Sequence, residues 1–124
     1  MLRVSDLTKG FGSGSNRLEV LKGIDFEMKR GELVALMGPS GCGKTTLLNV
    51  LSGIDEPTSG GVMLDGKPLL GISDDERSRM RAENLGFIFQ DFNLLPVLSA
   101  VENVELPLLM LGKPAAQARD CLLY

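Results

Sequence analysis

The apolar positions in the N-terminal part of the chain recur with a period of two. Residues 2–8 predict a first strand and residues 18–28 a longer second one, in which Ile24, Phe26 and Met28 alternate with charged side chains. Alternation of this kind is typical of antiparallel strands with one face buried and the other in solvent. We therefore predict that the chain begins with an antiparallel sheet.

Two later segments are almost entirely apolar, which is typical of strands that are buried on both faces. They are residues 32–37 and residues 85–89, and Gln90 follows the second one directly. In open α/β sheets, ligand-binding groups gather at the carboxyl ends of such strands. A shorter strand over residues 61–64 precedes an Asp-Gly pair that favours a hairpin turn.

Helix start and stop signals predict four helices. The first covers residues 45–52 and is closed by Gly53. Ser-x-x-Glu capping boxes at residues 73–76 and 99–102 open the second and the third, and Pro114 opens the fourth. With helices placed between strands, the predicted fold class is α/β.

Residues 38–46, between the first apolar strand and the first helix, match the phosphate-binding pattern G-x-x-x-x-G-K-[ST]. Glycines let backbone N–H groups point at a phosphate, and the helix that starts there adds its positive end. Lys44 supplies a positive charge for the β- and γ-phosphates, and Thr45 offers a hydroxyl to Mg2+. The alternative, an ordinary Gly-rich turn, is disfavoured by the flanking strand and helix. The predicted phosphate-binding residues are Gly38, Pro39, Ser40, Gly41, Cys42, Gly43, Lys44, Thr45 and Thr46.

Position alone leaves the roles of three features open. Phe11 lies in a Gly-rich loop, where an aromatic ring either folds onto the core or forms a stacking platform for a base. Gln90, at a strand end, is either a turn residue or a ligand group. The arginines of the helix over residues 74–83 fit a solvated helix face better than a site for an acidic partner.

Composition restricts the setting. The chain has 124 residues, so at most one domain is expected, and its 44% hydrophobic and 23% charged content is that of a soluble globular domain. The net charge of −3, with the two signs mixed, gives no basic field for nucleic acid. No apolar run reaches the length of a membrane span. Two cysteines without metal or disulfide spacing fit a reducing, cytosolic setting.

In combination, these motifs resemble the nucleotide-binding subunit of ATP-binding-cassette (ABC) transporters. The matches are the phosphate-binding loop, Phe11 where the family places an aromatic that stacks on adenine, and residues 86–90, which look like the Q-loop strand and its glutamine. Residues 93–96 together with residues 102–107 are similar to the lipoprotein-release and macrolide-export branch. Phe11 replaces the commoner tyrosine, and both side chains have a π face.

The resemblance implies a P-loop NTPase fold of the ABC ATPase type, with an antiparallel β subdomain, a partial parallel core sheet and helices. It implies ATP and Mg2+ as cofactors, catalytic roles for Lys44 and Gln90, and metal contacts through Thr45 and Gln90. Phe11 and Val20 would lie beside the nucleotide. The implied partners are a transmembrane permease subunit and a second nucleotide-binding subunit, without nucleic acid, at the cytoplasmic face of the cell (inner) membrane.

The resemblance also implies that residues 1–124 are the N-terminal part of one ABC-type ATP-binding domain. The family's signature motif, Walker B aspartate, catalytic glutamate and switch histidine would all follow the last residue, and the chain has no histidine. We therefore expect a C-terminally truncated chain, whose residues 121–124 are candidates for a foreign tail. Such a chain would bind Mg-ATP without turning it over.

Two other functions remain as alternatives. One is a non-transport ABC-family ATPase of cell division or DNA repair, although the net negative charge argues against direct DNA binding. The other is a P-loop small-molecule kinase. The kinase is disfavoured because the antiparallel entry strands, and a glutamine 46 residues after Lys44, do not belong to that layout.

Overall fold

The structure is a computed structural model that describes residues 1–89 and 93–123. The chain divides into two compact units, residues 1–77 and residues 78–124. The helices are α1 (Lys44–Leu51), α2 (Asp74–Asn84), α3 (Ala100–Met110) and α4 (Ala115–Leu123). No helix within the described ranges combines the length and the apolar character that a membrane span requires.

The first unit is built on a four-stranded antiparallel sheet. Its strands are β1 (Leu2–Phe11), β2 (Leu18–Met28), β3 (Ser59–Leu64) and β4 (Lys67–Pro68), in the order β2-β1-β3-β4. Strand β1 is central, because it pairs with β2 along one edge and with β3 along the other. The predicted antiparallel sheet is confirmed, and the later hairpin joins it as the third and fourth strands.

Strand β1 has an irregularity between Val4 and Leu7 that resets which side chains face the core. Asp6 has a φ of 44°, and its amide donates to Oδ1 of Asp25 at 2.8 Å. A Cβ at Gly60 would lie 2.3 Å from the carbonyl oxygen of Asp6, so this close approach of β3 requires glycine. The irregularity allows Val4 and Leu7 both to be buried, although they are three residues apart.

Helix α1 packs against β2 in this unit. Its buried side chains, Leu47 and Val50, are one turn apart and form an apolar stripe along the helix. The apolar core of the unit consists of Val4, Leu7, Leu21, Leu47, Val50, Val62 and Leu69. The helix that follows the phosphate-binding loop is therefore fixed to the sheet through its buried side.

Helix α2 begins with the predicted capping box, since the Glu76 amide donates to Ser73 Oγ at 3.3 Å and the Ser73 amide donates to Glu76 Oε2 at 3.1 Å. The prediction of a solvated arginine face is wrong for Arg77, which is buried. Its guanidinium donates to Glu56 Oε1 at 2.8 Å and pairs with Asp74. The hydrogen bond with Glu56 raises the pKa of Arg77. The arginine thereby fixes the start of α2 to the turn that follows α1.

The second unit contains the hairpin of α3 and α4. The predicted capping box of α3 is present: the Glu102 amide donates to Ser99 Oγ at 3.3 Å, and the Ser99 amide donates to Glu102 Oε2 at 2.8 Å. Between the helices, Nε of Arg119 donates to Oε1 of Glu105 at 2.6 Å. Glu105 is only 3% exposed, so this carboxylate is a buried charge held by a single arginine.

Neither of the two predicted core strands is formed. Residues 32–37 and residues 85–89 are irregular, and the sheet includes neither segment. Leu33 is 98% exposed and Ile88 is 101% exposed. A strand needs partners for its backbone N–H and C=O groups, and neither segment has a strand partner among the described residues. The assignment of both segments as strands is wrong in this chain, so the described residues contain no parallel strand pair.

Candidate functional site

The phosphate-binding loop, residues 38–43, ends directly at the start of α1. Gly43 has a φ of 95°, and a Cβ there would lie 2.8 Å from Cγ1 of Val20. At Gly38, a Cβ would lie 2.7 Å from Sγ of Cys42. A Cβ at either position would require the Val20 or the Cys42 side chain to shift, and the positive φ of Gly43 itself favours glycine.

Lys44, the first residue of α1, folds back onto this loop. Its Nζ donates to the carbonyl oxygen of Gly38 at 2.8 Å and to that of Pro39 at 2.7 Å, and it lies 3.7 Å from Sγ of Cys42. The ammonium is thus held beside the loop by neutral acceptors, and no carboxylate neutralises it among the described residues. A phosphate oxygen that replaced the carbonyl acceptors would gain a charge-assisted hydrogen bond.

The N-terminus of α1 offers further donors on the same side. The first helical hydrogen bond runs from the amide of Leu47 to the carbonyl oxygen of Gly43 at 2.8 Å. The amides of Lys44, Thr45 and Thr46 precede it and have no partner within the helix. The first turn carries no acidic residue that would occupy these donors. Three amides, a positive helix end and one ammonium therefore lie together, which is the arrangement that binds a polyanion.

Val20 and Phe11 lie near the same end of the pairing between β1 and β2. Val20 packs against Gly43, so it lies beside the loop, and its place next to a nucleotide stays a prediction. Phe11 ends β1 and pairs with Leu18, two residues before Val20. The ring is 45% exposed, so it is not folded into the core and keeps area for stacking.

The predicted magnesium contacts are only partly described. Thr45 is exposed at the first turn of α1, whereas Gln90 lies outside the described residues, and its predicted role stays a prediction. Within the described part of the chain, no group of three or more acidic, cysteine or histidine side chains could hold a metal. The residues fit an ion that uses one hydroxyl and takes its other ligands from phosphate and water, as Mg2+ does.

Sequence reasoning missed Lys9 and Asp55. Nζ of Lys9 donates to Oδ1 of Asp55 at 2.7 Å and lies 5.0 Å from the centroid of the Phe11 ring. On a strand with alternating polarity, a lysine is expected to face solvent, and nothing local indicates a partner 46 residues away. The one usable signal is the Lys-x-Phe spacing, which places both side chains on one face of a regular strand.

Comparison with known proteins identifies what this chain is similar to. A family model described as "ABC transporter" matches residues 21–123. The uncharacterized ABC transporter ATP-binding protein YbbA of Escherichia coli (strain K12) is 45% identical over 120 residues, which are 97% of this chain and 53% of YbbA. The lipoprotein-releasing system ATP-binding protein LolD of Geobacter metallireducens is 45% identical over 126 residues, covering 98% of this chain and 56% of LolD.

Two further similarities extend this result. The macrolide export ATP-binding/permease protein MacB of Brucella abortus is 44% identical over 119 residues, which are 96% of this chain and 18% of MacB. A dimeric structure of the ATP-binding cassette MJ0796, bound to ADP and Pi, superposes with a TM-score of 0.89 at 39% identity. The superposition covers 97% of this chain and 53% of the cassette chain. The chain thus spans about half the length of YbbA, LolD and this cassette.

Proposed function

The chain belongs to the ABC transporter family, and from this premise we propose that it is the ATP-binding part of a transporter's ATPase subunit. In this proposal the whole protein couples Mg-ATP binding and hydrolysis to transport, or to lipoprotein extraction, by a membrane partner. The observation that carries it is the Lys44 ammonium, held on the loop carbonyls at the N-terminus of α1. The similarity to LolD, of a lipoprotein-releasing system, and to MacB, a macrolide export protein, supports the transport role.

The described residues fit a nucleoside triphosphate. Lys44 and the three free amides of α1 would hold the β- and γ-phosphates, while Thr45 would offer its hydroxyl to Mg2+. Mg2+, when bound, would neutralise charge on the phosphates during phosphoryl transfer. Val20 would border the nucleotide at Gly43, and the exposed Phe11 ring would stack on the base.

Binding and turnover place different demands on the protein. Hydrolysis also requires a positioned water and charge stabilisation around the γ-phosphate, for which Gln90 is our proposed contributor in this chain. We propose that residues 1–124 bind Mg-ATP but do not turn it over, because the general base would come from elsewhere in the whole protein. Steady-state phosphate release by the purified chain should stay far below about 1 per second, an ordinary enzymatic rate. Release at that rate would contradict this part of the proposal.

The partners proposed for the whole protein are a transmembrane permease subunit and a second nucleotide-binding subunit, at the cytoplasmic face of the membrane. The dimeric form of the MJ0796 cassette supports the second subunit. The similarity to MacB, an ATP-binding/permease protein, supports the first. Co-purification of the whole protein with a membrane protein would separate this role from a non-transport role in cell division or DNA repair.

Substitution of Lys44 tests the proposed site directly. Lys44→Ala should weaken Mg-ATP binding by about 10- to 100-fold, since a charged hydrogen-bond partner is removed from the phosphates. Isothermal titration of the purified chain measures the affinity, and Lys22→Ala, at an exposed position of β2, removes the same charge as a matched control. Equal ATP affinity of Lys44→Ala and the control would reject the assignment.

A further inference from the structure

Lys9, on β1, has three close neighbours around its ammonium group. Its side chain is 12% exposed and its Nζ donates to Oδ1 of Asp55 at 2.7 Å and to the carbonyl oxygen of Glu56 at 2.6 Å. The same nitrogen lies 5.0 Å from the centroid of the Phe11 ring. An ammonium has three N–H donors, and the neighbours available to them here are a carboxylate, a carbonyl and the π face of a ring.

The acceptor side of this contact is attached to α1. The amide of Asp55 donates to the carbonyl oxygen of Asn49 at 3.1 Å, and Asn49 belongs to α1. Oδ1 of Asp55 also accepts from the amide of Glu56 at 2.8 Å, which fixes the carboxylate. A continuous series of contacts therefore leads from the Phe11 ring through Lys9 and Asp55 to the helix that begins at the phosphate-binding loop.

The backbone on both sides of Lys9 is fixed to the same turn. The amide of Thr58 donates to the carbonyl oxygen of Thr8 at 2.8 Å, and the amide of Gly10 donates to Oγ1 of Thr58 at 3.0 Å. Lys9 is thus held by its main chain as well as by its side chain. Because both attachments lead to residues 55–58, the end of β1 is tied to the turn that follows α1.

We propose that Lys9 is a positioning residue for the nucleotide base, an inference that rests on the proposed ATP site. Its ammonium occupies one face of the Phe11 ring, which leaves the opposite face for the base. Its link to Asp55 holds the ring at a fixed separation from the loop that binds the phosphates. When both the ring and the phosphate-binding loop are held in place, less conformational freedom of the protein is lost as the base binds. Such a site favours a nucleoside triphosphate over a bare polyphosphate.

The test compares two ligands on the full chain, Mg-ATP and Mg-tripolyphosphate. Lys9→Met keeps the length of the side chain and removes its charge, and it should weaken ATP binding by about 3- to 10-fold, the range of a partly buried cation–π contact. Tripolyphosphate binding should not change. Lys9→Arg retains a cation over the ring, so its ATP affinity should stay close to that of the parent chain. Lys22→Met, an exposed lysine of β2, is the matched control.

A double-mutant cycle distinguishes positioning from general stability. In a Phe11→Ala background, Lys9→Met should produce no additional loss of ATP affinity, because Lys9 acts through the ring. An equal loss in both backgrounds, or a parallel loss for ATP and tripolyphosphate, would overturn the proposal. Unchanged ATP affinity in Lys9→Met would do the same. If the parent chain bound neither ligand, the proposed ATP site itself would be wrong, which is a different outcome.

Asp55→Asn provides a second variant in case Lys9→Met does not fold. It preserves the shape of the turn residue but removes the charge that holds the ammonium. ATP affinity should fall while tripolyphosphate affinity is kept, in the same direction as for Lys9→Met. Retention of full ATP affinity by a folded Asp55→Asn chain would count against the link between the ring and α1.

Discussion

Several charged side chains of the first unit are held by two or more partners each. Lys44 uses two loop carbonyls, Lys9 uses a carboxylate and a carbonyl, and Arg77 uses two carboxylates. Asp65, in the turn between β3 and β4, accepts from Arg30 Nη2 at 2.7 Å and also contacts the amino group of Met1. Multiple partners restrict a long side chain to one position, which a site for a charged ligand requires.

The contacts of Asp65 predict how the stability of the fold changes in acid. The hydrogen bond from Arg30, followed by that from the amino terminus, lowers the pKa of Asp65 from 3.8 to about 2. Because the folded-state pKa is the lower one, the contribution of Asp65 is complete above its unfolded pKa and is lost as the pH falls through about 2.

Asp65→Asn should therefore lower the urea midpoint near neutral pH and reduce its dependence on pH below about 4. Asparagine tolerates the positive φ of 48° at this position, so backbone strain is not introduced. Unfolding curves of parent and variant at several pH values make the comparison. A difference in midpoint that stays constant down to pH 2 would contradict the assignment.

The place of the phosphate-binding loop before α1 could be predicted because it depends on a short segment. Gly43, Lys44 and Thr45 are neighbours in sequence, and a motif fixes their relation. Lys9 and Asp55 could not be predicted, since their contact depends on how the turn after α1 meets the end of β1. The burial of Arg77 could not be predicted for the same reason, because its aliphatic stem packs beside Gly53 and its guanidinium pairs with Glu56, 21 residues earlier.

Among the elements, the α3–α4 hairpin contains a buried carboxylate that is paired with an arginine of the neighbouring helix. Glu105 is buried on α3 and its carboxylate accepts from both Nε and Nη2 of Arg119 on α4. The hydrogen bond with Glu105 raises the pKa of Arg119. Arg119 itself is largely exposed, so the arginine rather than the glutamate is the accessible half of the pair.

Arg119→Met should destabilise the hairpin by about 1–3 kcal/mol, the cost of leaving a buried acceptor without its partner. Adding Glu105→Gln should recover part of this loss, because the remaining side chain is then neutral. Helical signal followed in urea gives the free energies of unfolding, with Lys113→Met as a control at an exposed position. Equal stability of the Arg119 variant and the control would show that the pair does not hold the hairpin.

Elements with a local signal could be predicted, and elements that need a partner could not. The two capping boxes and the alternating strands are encoded within a few residues, and they lie where expected. Residues 32–37 and 85–89 carry the composition of core strands, but strand formation also needs neighbouring backbone. Their apolar sequence is therefore suited to a buried position in a sheet, but it does not by itself make them strands.

For the whole molecule, the comparisons confirm the sequence-based resemblance. The chain is a member of the ABC transporter family, with relatives in the lipoprotein-release and macrolide-export systems, and its fold class is that of ABC ATPase cassettes. It spans about half the length of YbbA and of the MJ0796 cassette. Those longer proteins contain sequence that this chain does not share.

The exposed segments lead to a prediction about the behaviour of the chain alone. Leu33→Lys together with Ile88→Lys should raise solubility and reduce the binding of a hydrophobic dye, because both side chains are in solvent. The melting temperature should hardly change, whereas Val50→Ala, at a fully buried position, should cost about 1–3 kcal/mol. A double lysine variant that unfolded as readily as Val50→Ala would mean that these segments are packed in solution.

The irregularity at Asp6 sets a rule for the length of β1. Val4 pairs with Phe26 and Leu7 pairs with Ile24, so two residues of β1 lie opposite Asp25 alone. Loss of one of these two would leave the flanking pairs and the facing of the later residues unchanged. Loss of Thr8 would instead turn Lys9 and Phe11 over to the other face and separate Lys9 from Asp55. If Phe11 stacks on the base as proposed, a chain without Thr8 would still hold phosphate and would lose its contact with the base.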